Sequence, residues 1–232
     1  MTRYNCEVVI IAIDGPSGAG KGTVARALAR DLQYTHIDTG AMYRAVAWRV
    51  LKLGVAFEDE EAVARVAREA VFELSQGRVI VDGHDVTQAI RTPEIDQAAT
   101  KVARLPTVRS TLVERQRAMG ARGQVVMEGR DIGTAVFPDA DVKIYLDADP
   151  AERARRRAND PAHSGQPATV ASVATALEAR DHSDRTRTAS PLTIAPDAVH
   201  LDTTTLSVDE VVREVLAVVR KRAGEVSEPA QR

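Results

Sequence analysis

The chain has 232 residues, with 33 acidic and 31 basic side chains, a net charge of −2, one cysteine, one Trp, four Tyr and three Phe. That length suits one domain carrying insertions, at roughly 100–200 residues per domain. The charge balance excludes a generally basic nucleic-acid coat, the few aromatics argue against stacking platforms for single strands, and a lone Cys6 excludes an intrachain disulfide or a thiolate zinc cluster.

In chain order, the first apolar run, Val8 to Ile13, is mostly β-branched and uninterrupted by polar residues, the pattern of a strand buried on both faces of a parallel sheet. It stops at Asp14, too short for a membrane span or a signal segment, so a soluble, cytoplasmic protein without membrane or nucleic-acid partners is expected, with a monomer as the default. A glycine-rich loop follows, then a helical pattern from Lys21 to Leu32, a short strand at Tyr34 to Ile37 and a helix from Ala41 to Leu53. The stretch from Glu58 to Ala103 breaks this rhythm and reads as an insertion. It holds a helix to Ala70, then Val71 to Leu74 and Val79 to Val81 around a Gln76-Gly77 turn, followed by Asp82-Gly83, which are hairpin signals.

Beyond the insertion come a helix from Pro106 to Met119, strands at Gln124 to Met127 and Val142 to Leu146, and a helix from Pro150 to Ala158. Asn159 to Pro167 reads as a mobile loop. A helix from Val170 to Arg185, a strand from Ala198 to Leu201 and a helix from Val208 to Lys221 complete the pattern, and the tail from Gly224 to Arg232, lacking periodicity, is expected to be disordered. Buried strands alternating with helices predict an α/β fold: a doubly wound parallel sheet of about five strands with helices on both faces.

Gly15-Pro16-Ser17-Gly18-Ala19-Gly20-Lys21-Gly22-Thr23 sits between strand and helix, the context that gives a P-loop its meaning. Its glycines let successive N–H groups face one concavity, the helix N-terminus adds positive character, and Lys21 would bridge the β- and γ-phosphates of a nucleoside triphosphate. Gly22 stands where the general pattern has Ser or Thr, and the hydroxyl comes one residue later at Thr23, so the loop is not expected to ligate magnesium directly. The GKGT variant resembles nucleoside monophosphate kinases more than GTPases.

An acceptor site is sought at the other strand ends, where ligands collect in open α/β sheets. Asp38-Thr39-Gly40-Ala41-Met42-Tyr43-Arg44 turns into a helix, and Tyr43 and Arg44 could hold a second phosphate. Glu128-Gly129-Arg130-Asp131 ends the third strand: Glu128 is a candidate for holding magnesium-bound water, and Arg130 for a phosphate. Among the arginines of the 150s helix, Arg153, Arg156 and Arg157 share a face. Arg153 and Arg155 are expected to be solvated, whereas Arg157, with Arg187 further on, is expected to stabilise a transferring phosphoryl group. The five histidines, His36 and His182 among them, show no metal-ligand or triad spacing and receive no role.

Four motifs in order resemble the bacterial cytidylate kinases: Asp14 to Thr23, Asp38 to Arg44, Gly129 to Asp139, and Arg180 to Arg187. The resemblance runs from Ile13 to about Val218 and implies phosphoryl transfer from ATP, with Mg2+, to CMP or dCMP. It implies that residues 58–103 form a monophosphate-binding subdomain and 153–187 a lid region. It further implies that Asp131 and Arg109 read the cytosine edge with Thr100 nearby, that Ser17, Tyr43, Arg44 and Arg130 hold the CMP phosphate, and that Arg180 and Asp184 hold the ribose. Asp38 and Thr39 complete the substrate set, and Lys21, Arg130, Arg157 and Arg187 the catalytic one. Two alternatives stay open. A kinase acting on shikimate or dephospho-coenzyme A fits the Asp38 to Arg44 turn and the Arg109/Asp131 pair poorly, and a GTPase-like switch lacks its Asn-Lys-x-Asp motif.

Overall fold

The computed structural model describes residues 9–75, 77–160 and 169–227. Its first strand, β1 (Ile10–Asp14), is shielded on both faces, with Ile11, Ala12 and Ile13 fully buried. β1 pairs in parallel with β6 (Val125–Glu128) on one side and β7 (Val142–Asp147) on the other. β2 (Thr35–Asp38) adds outside β6, and β8 (Val199–Asp202) outside β7. The result is the expected five-stranded parallel sheet, in the order β2-β6-β1-β7-β8.

Side chains alternate across the sheet, so each strand feeds two cores. Ile11 and Ile13 pack with α1 (Lys21–Leu32) and α8 (Val208–Ser227), while Ala12, Ile37 and Met127 pack on the other side against Ile132 and Val136. Helix α8 continues through Gly224 to Ser227, past the point where its sequence pattern loses its period. Residues 228–232, Val8 and residues 161–167 of the expected loop lie outside the described residues.

A third core lies over the sheet's edge. Val46 and Val50 of α2 (Thr39–Leu53) pack with Val63 and Val66 of α3 (Glu60–Glu69), Val102 of α4 (Pro93–Val102) and Leu112 of α5 (Pro106–Gly120). Each such side chain, fully buried, stabilises by about 1.5–3 kcal/mol. Ala41 and Ala45 of the same helix α2 face Val79 and Val81 of an antiparallel sheet made of β3 (Phe72–Ser75), β4 (Arg78–Val81) and β5 (His84–Asp85). Small side chains let α2 be covered by both groups, which fixes the inserted segment against the strand tips. β5 and α4 are additions to the sequence reading.

After β6 the chain makes one wide turn, Ile132–Val136, in which Val136 N–H donates to Asp131 O (3.1 Å) and Phe137 N–H to Ile132 O (2.7 Å). Such i→i+5 turns concentrate at functional sites. The chain returns through α6 (Pro150–Ala158) and α7 (Val170–Thr186), which pack on each other beside the glycine loop.

Candidate active site

Gly20 stands just before helix α1 in a left-handed conformation suited to glycine (φ 89°), and no side chain caps the helix. The N–H groups of its first turn carry the positive end of the helix dipole, and Thr23 N–H donates to Gly20 O at 3.1 Å. Lys21 is buried, and its Nζ donates to Pro16 O at 2.7 Å. Burial, reinforced by the nearby Arg130, pushes the lysine's pKa down to about 7.

The loop is held from behind. Ser17 N–H donates to Asp181 Oδ1 at 3.2 Å, and Ser17 O accepts from Arg153 Nη1 at 3.1 Å. Arg153 and Asp181 are themselves ion-paired, and Arg153 Nε reaches Ala148 O. Arg153 is only 6% exposed, which corrects its expected place on a solvated helix face. A buried guanidinium is tolerable because a carboxylate and two backbone carbonyls satisfy it. Arg155, by contrast, is exposed and paired with Glu152, as expected. Arg156 donates to Thr203 Oγ1 (3.0 Å) and Thr203 O (2.6 Å), joining α6 to the end of β8.

Gly22 has a spatial reason. A Cβ at this position would lie 2.9 Å from Glu128 Oε1, so the Glu128 carboxylate occupies the room a serine or threonine would need. Glu128 is buried and its Oε1 lies 3.1 Å from His36 Nε2. His36 and Asp38 share a face of β2, in register with Val126 and Glu128 of β6. Nothing in the local sequence around His36 announced this contact; only the pairing of the two strands creates it.

Asp14, at the tip of β1, is a second buried acid the sequence reading left without a role. Its two oxygens accept from Ile132 N–H (2.8 Å) and Gly133 N–H (2.7 Å), so it anchors the turn that carries Asp131. Burial raises its pKa to about 6, against the lowering effect of those two N–H groups.

The facing wall is built from paired charges. Asp38 caps α2 by accepting from Ala41 N–H (2.9 Å) and also receives Arg44 Nη2 (3.0 Å). Burial opposes its ionisation, yet Arg44 and the Ala41 N–H together hold its carboxyl below the usual range. Thr39 donates to Glu128 O at 2.8 Å. Arg109 pairs with Asp131, both buried, and its guanidinium stacks over the Tyr43 ring at 5.4 Å. Tyr43 therefore sits against the Arg109–Asp131 pair, and burial pushes its phenol up to about 12. Arg130 donates to Asp184 Oδ2 (2.9 Å). Arg187 lies 3.4 Å from Asp184 and 3.6 Å from Asp131, on the side of the cleft where Asp131 stands. Arg157 and Arg180 instead both meet Asp96 of α4, and Thr100 donates to the Asp96 carbonyl (2.9 Å).

Every residue given a binding or catalytic role from the sequence, except Gly15 and Pro16, lines one cleft of about 830 Å³ at the carboxyl ends of the strands. Arg44 Nε, Arg109 Nε and Arg187 Nη2 are buried there without a hydrogen-bond partner among the described residues. Buried donors of this kind call for an acceptor, which an anionic ligand would supply.

A glycine loop opening a helix beneath a wall of arginines, on a doubly wound parallel sheet, defines a P-loop kinase. Comparison with known proteins narrows this class. A family model described as cytidylate kinase matches residues 11–221. The cytidylate kinase of Solibacter usitatus is 50% identical over 216 residues, covering 92% of this chain and 93% of its own length. That of Desulfitobacterium hafniense is 49% identical over 211 residues, with 90% and 91% covered. An uncharacterized protein from Eubacterium ventriosum, of known crystal structure, shares the fold alone, with a TM-score of 0.50 and 11% identity over 93% of this chain and 99% of its own. The chain belongs to the cytidylate kinase family.

Proposed function

We propose that the cleft transfers the γ-phosphoryl group of ATP to the phosphate of CMP or dCMP, giving ADP and CDP or dCDP. The observation that carries this reading is the buried Arg109–Asp131 pair in the same cleft as Lys21. A lone anion site has no use for a carboxylate, which repels phosphate. Cytosine does: its N4 amino group donates to Asp131 while its N3 and O2 accept from Arg109.

In this reading the Gly15–Thr23 backbone cradles the triphosphate and Lys21 exchanges Pro16 O for phosphate oxygens. Ser17, Tyr43, Arg44 and Arg130 hold the acceptor phosphate, Arg180 and Asp184 the ribose, and Thr100 with Arg109 and Asp131 the base. Arg157 adds positive charge around the transferring group, while Arg187, expected there from the sequence, lies against Asp184 and Asp131 and so supports the ribose and base side. The acceptor oxygen is already ionised at neutral pH, so transfer is direct and in line, with no general base and no covalent enzyme intermediate.

Mg2+ belongs with the triphosphate. Among the described residues no group of three or more His, Cys, Asp or Glu is placed to hold a metal, while one carboxylate, Glu128, stands beside the loop. That donor set suits an ion that keeps most of its water and binds through phosphates. When bound, it neutralises the charge on the phosphates.

A coupled ADP assay with ATP, Mg2+ and each of CMP, dCMP, UMP and AMP tests the reading. ADP formation is expected with CMP and dCMP, and Asp131→Ala is expected to weaken the preference for them over UMP. ADP formation indifferent to the acceptor would overturn the activity, and an unchanged preference in the variant would overturn the base assignment.

A further inference from the structure

Arg44, Arg130, Arg157 and Arg180 crowd one side of the cleft. For Arg157 and Arg180, burial and the neighbouring guanidinium groups favour loss of charge, and in both cases Asp96 opposes this. One oxygen of Asp96 accepts from Arg157 Nη2, and the other accepts from Arg180 Nη1 at 3.2 Å. A single carboxylate on α4 thus bridges two cations, one from α6 and one from α7.

Asp96 is itself firmly placed. It lies in the first turn of α4, where a negative charge is favoured by the helix dipole, and its N–H donates to Thr92 O at 3.0 Å. Its neighbours Ile95, Ala98 and Ala99 are buried, which anchors α4 against the rest of the chain. Both carboxylate oxygens are engaged by arginines, and a carboxylate turned toward a phosphate would be repelled. Each guanidinium has five N–H donors in a rigid fork, so bridging by Asp96 leaves donors on both arginines for a ligand.

We propose that Asp96 is a positioning residue: it holds Arg157 and Arg180 side by side, in the orientation in which they meet the nucleotide phosphates and ribose. This rests on the roles given to those two arginines above. Without the bridge the two cations repel and separate, and a misplacement of about 1 Å costs up to a hundredfold in rate.

The test is the coupled ADP assay on wild type, Asp96→Ala, Asp96→Asn and Asp96→Glu, with Arg157→Ala and the Asp96→Ala/Arg157→Ala double variant, each checked for folding by circular dichroism. Asp96→Ala and the near-isosteric Asp96→Asn are expected to lower kcat by roughly ten- to a hundredfold, more than they raise either KM. Asp96→Glu should recover part of the loss, and in the Arg157→Ala background the Asp96→Ala change should cost much less than in wild type. A kcat for Asp96→Asn within twofold of wild type overturns the proposal. So does an equal fold-loss with and without Arg157, which marks a general structural role. Failure of wild type to form ADP with CMP overturns the activity reading instead, and the ratio of variant to wild type is then read with whichever acceptor supports turnover.

Discussion

The run from Gly15 to Thr23 presents backbone N–H groups and one lysine from a single stretch of chain, whereas the opposite wall gathers Asp38, Arg44, Arg109, Asp131 and Arg180 from segments far apart in sequence. The first half is local and is shaped by glycine conformation. The second is non-local and is held by ion pairs, each side chain depending on one or two others. The loop should therefore tolerate loss of charge without collapsing, while the wall and its buried supports should lose structure and function together.

The largest effect is expected at the support shared by both halves. Asp181→Ala removes the carboxylate that pairs with buried Arg153 and accepts from Ser17 N–H. Leaving a buried guanidinium uncompensated costs about 3–5 kcal/mol, so urea denaturation should show the unfolding free energy lowered by about that amount, with the midpoint moved to lower urea. A shift near zero would mean that water compensates the arginine and that the loop is not braced from behind. Next comes Lys21→Ala, for which kcat should fall by about 10²–10³. Its melting temperature should not fall, because a desolvated amine is removed along with the charge. A loss under tenfold would break the donor half of the comparison.

The acceptor half is sharpened by Asp131→Asn, which keeps the volume and exchanges an acceptor oxygen for an amide donor. The amide can serve the O4 acceptor of uracil, so the preference for CMP over UMP is expected to shrink by tenfold to several hundredfold, as kcat/KM ratios will show. An unchanged ratio would place base selection elsewhere.

The same division explains what could be read from sequence. The five parallel strands, of which only the central three are buried, the glycine loop and the doubly wound order follow from apolar runs and spacing, which are local signals. Asp14, Asp96 and His36 gained their roles only through partners at Ile132, Arg157 and Glu128, and Arg153 looked solvated until Asp181 was brought to it. No periodicity encodes such meetings. Helix α4 is a different case: Ile95, Ala98, Ala99 and Val102 have helical spacing behind a Thr92 cap and Pro93, so its signal was present but lay within a stretch read as strands. The wide turn after β6 has no comparable pattern, since it depends on Asp14 accepting from two N–H groups across the sheet.

A smaller effect concerns protons. With its pKa lowered to about 7, Lys21 is largely neutral at pH 8 in the free protein. A bound triphosphate favours the charged amine, so binding ATP at pH 8 should take up a proton, and at pH 6 almost none. Calorimetry in two buffers of different ionisation enthalpy measures this, with Lys21→Arg, always charged, as the control that takes up none. The same shift has a stability sign. Between about pH 7 and 10.5 the unfolded lysine binds a proton that the folded one lacks, so its contribution is fully present above 10.5 and is lost as pH falls through 7. Asp14 runs the other way, its contribution lost as pH rises through about 6.

The smallest effect is expected two residues from one of the largest supports. Arg155 and Arg153 lie on the same helix, but Arg155 is exposed and pairs with Glu152, while Arg153 is buried against Asp181 and the loop backbone. Solvent screens the exposed pair, and the ordering of two long side chains offsets much of what remains. Arg155→Ala should therefore change the unfolding free energy by no more than about 1 kcal/mol and leave kcat within about twofold of wild type, whereas Arg153→Ala strips the loop of a backbone contact and leaves Asp181 buried without its cation. Equal damage from the two substitutions would show that the whole arginine helix acts through its net charge, and the contrast between a braced loop and a solvated face would fail.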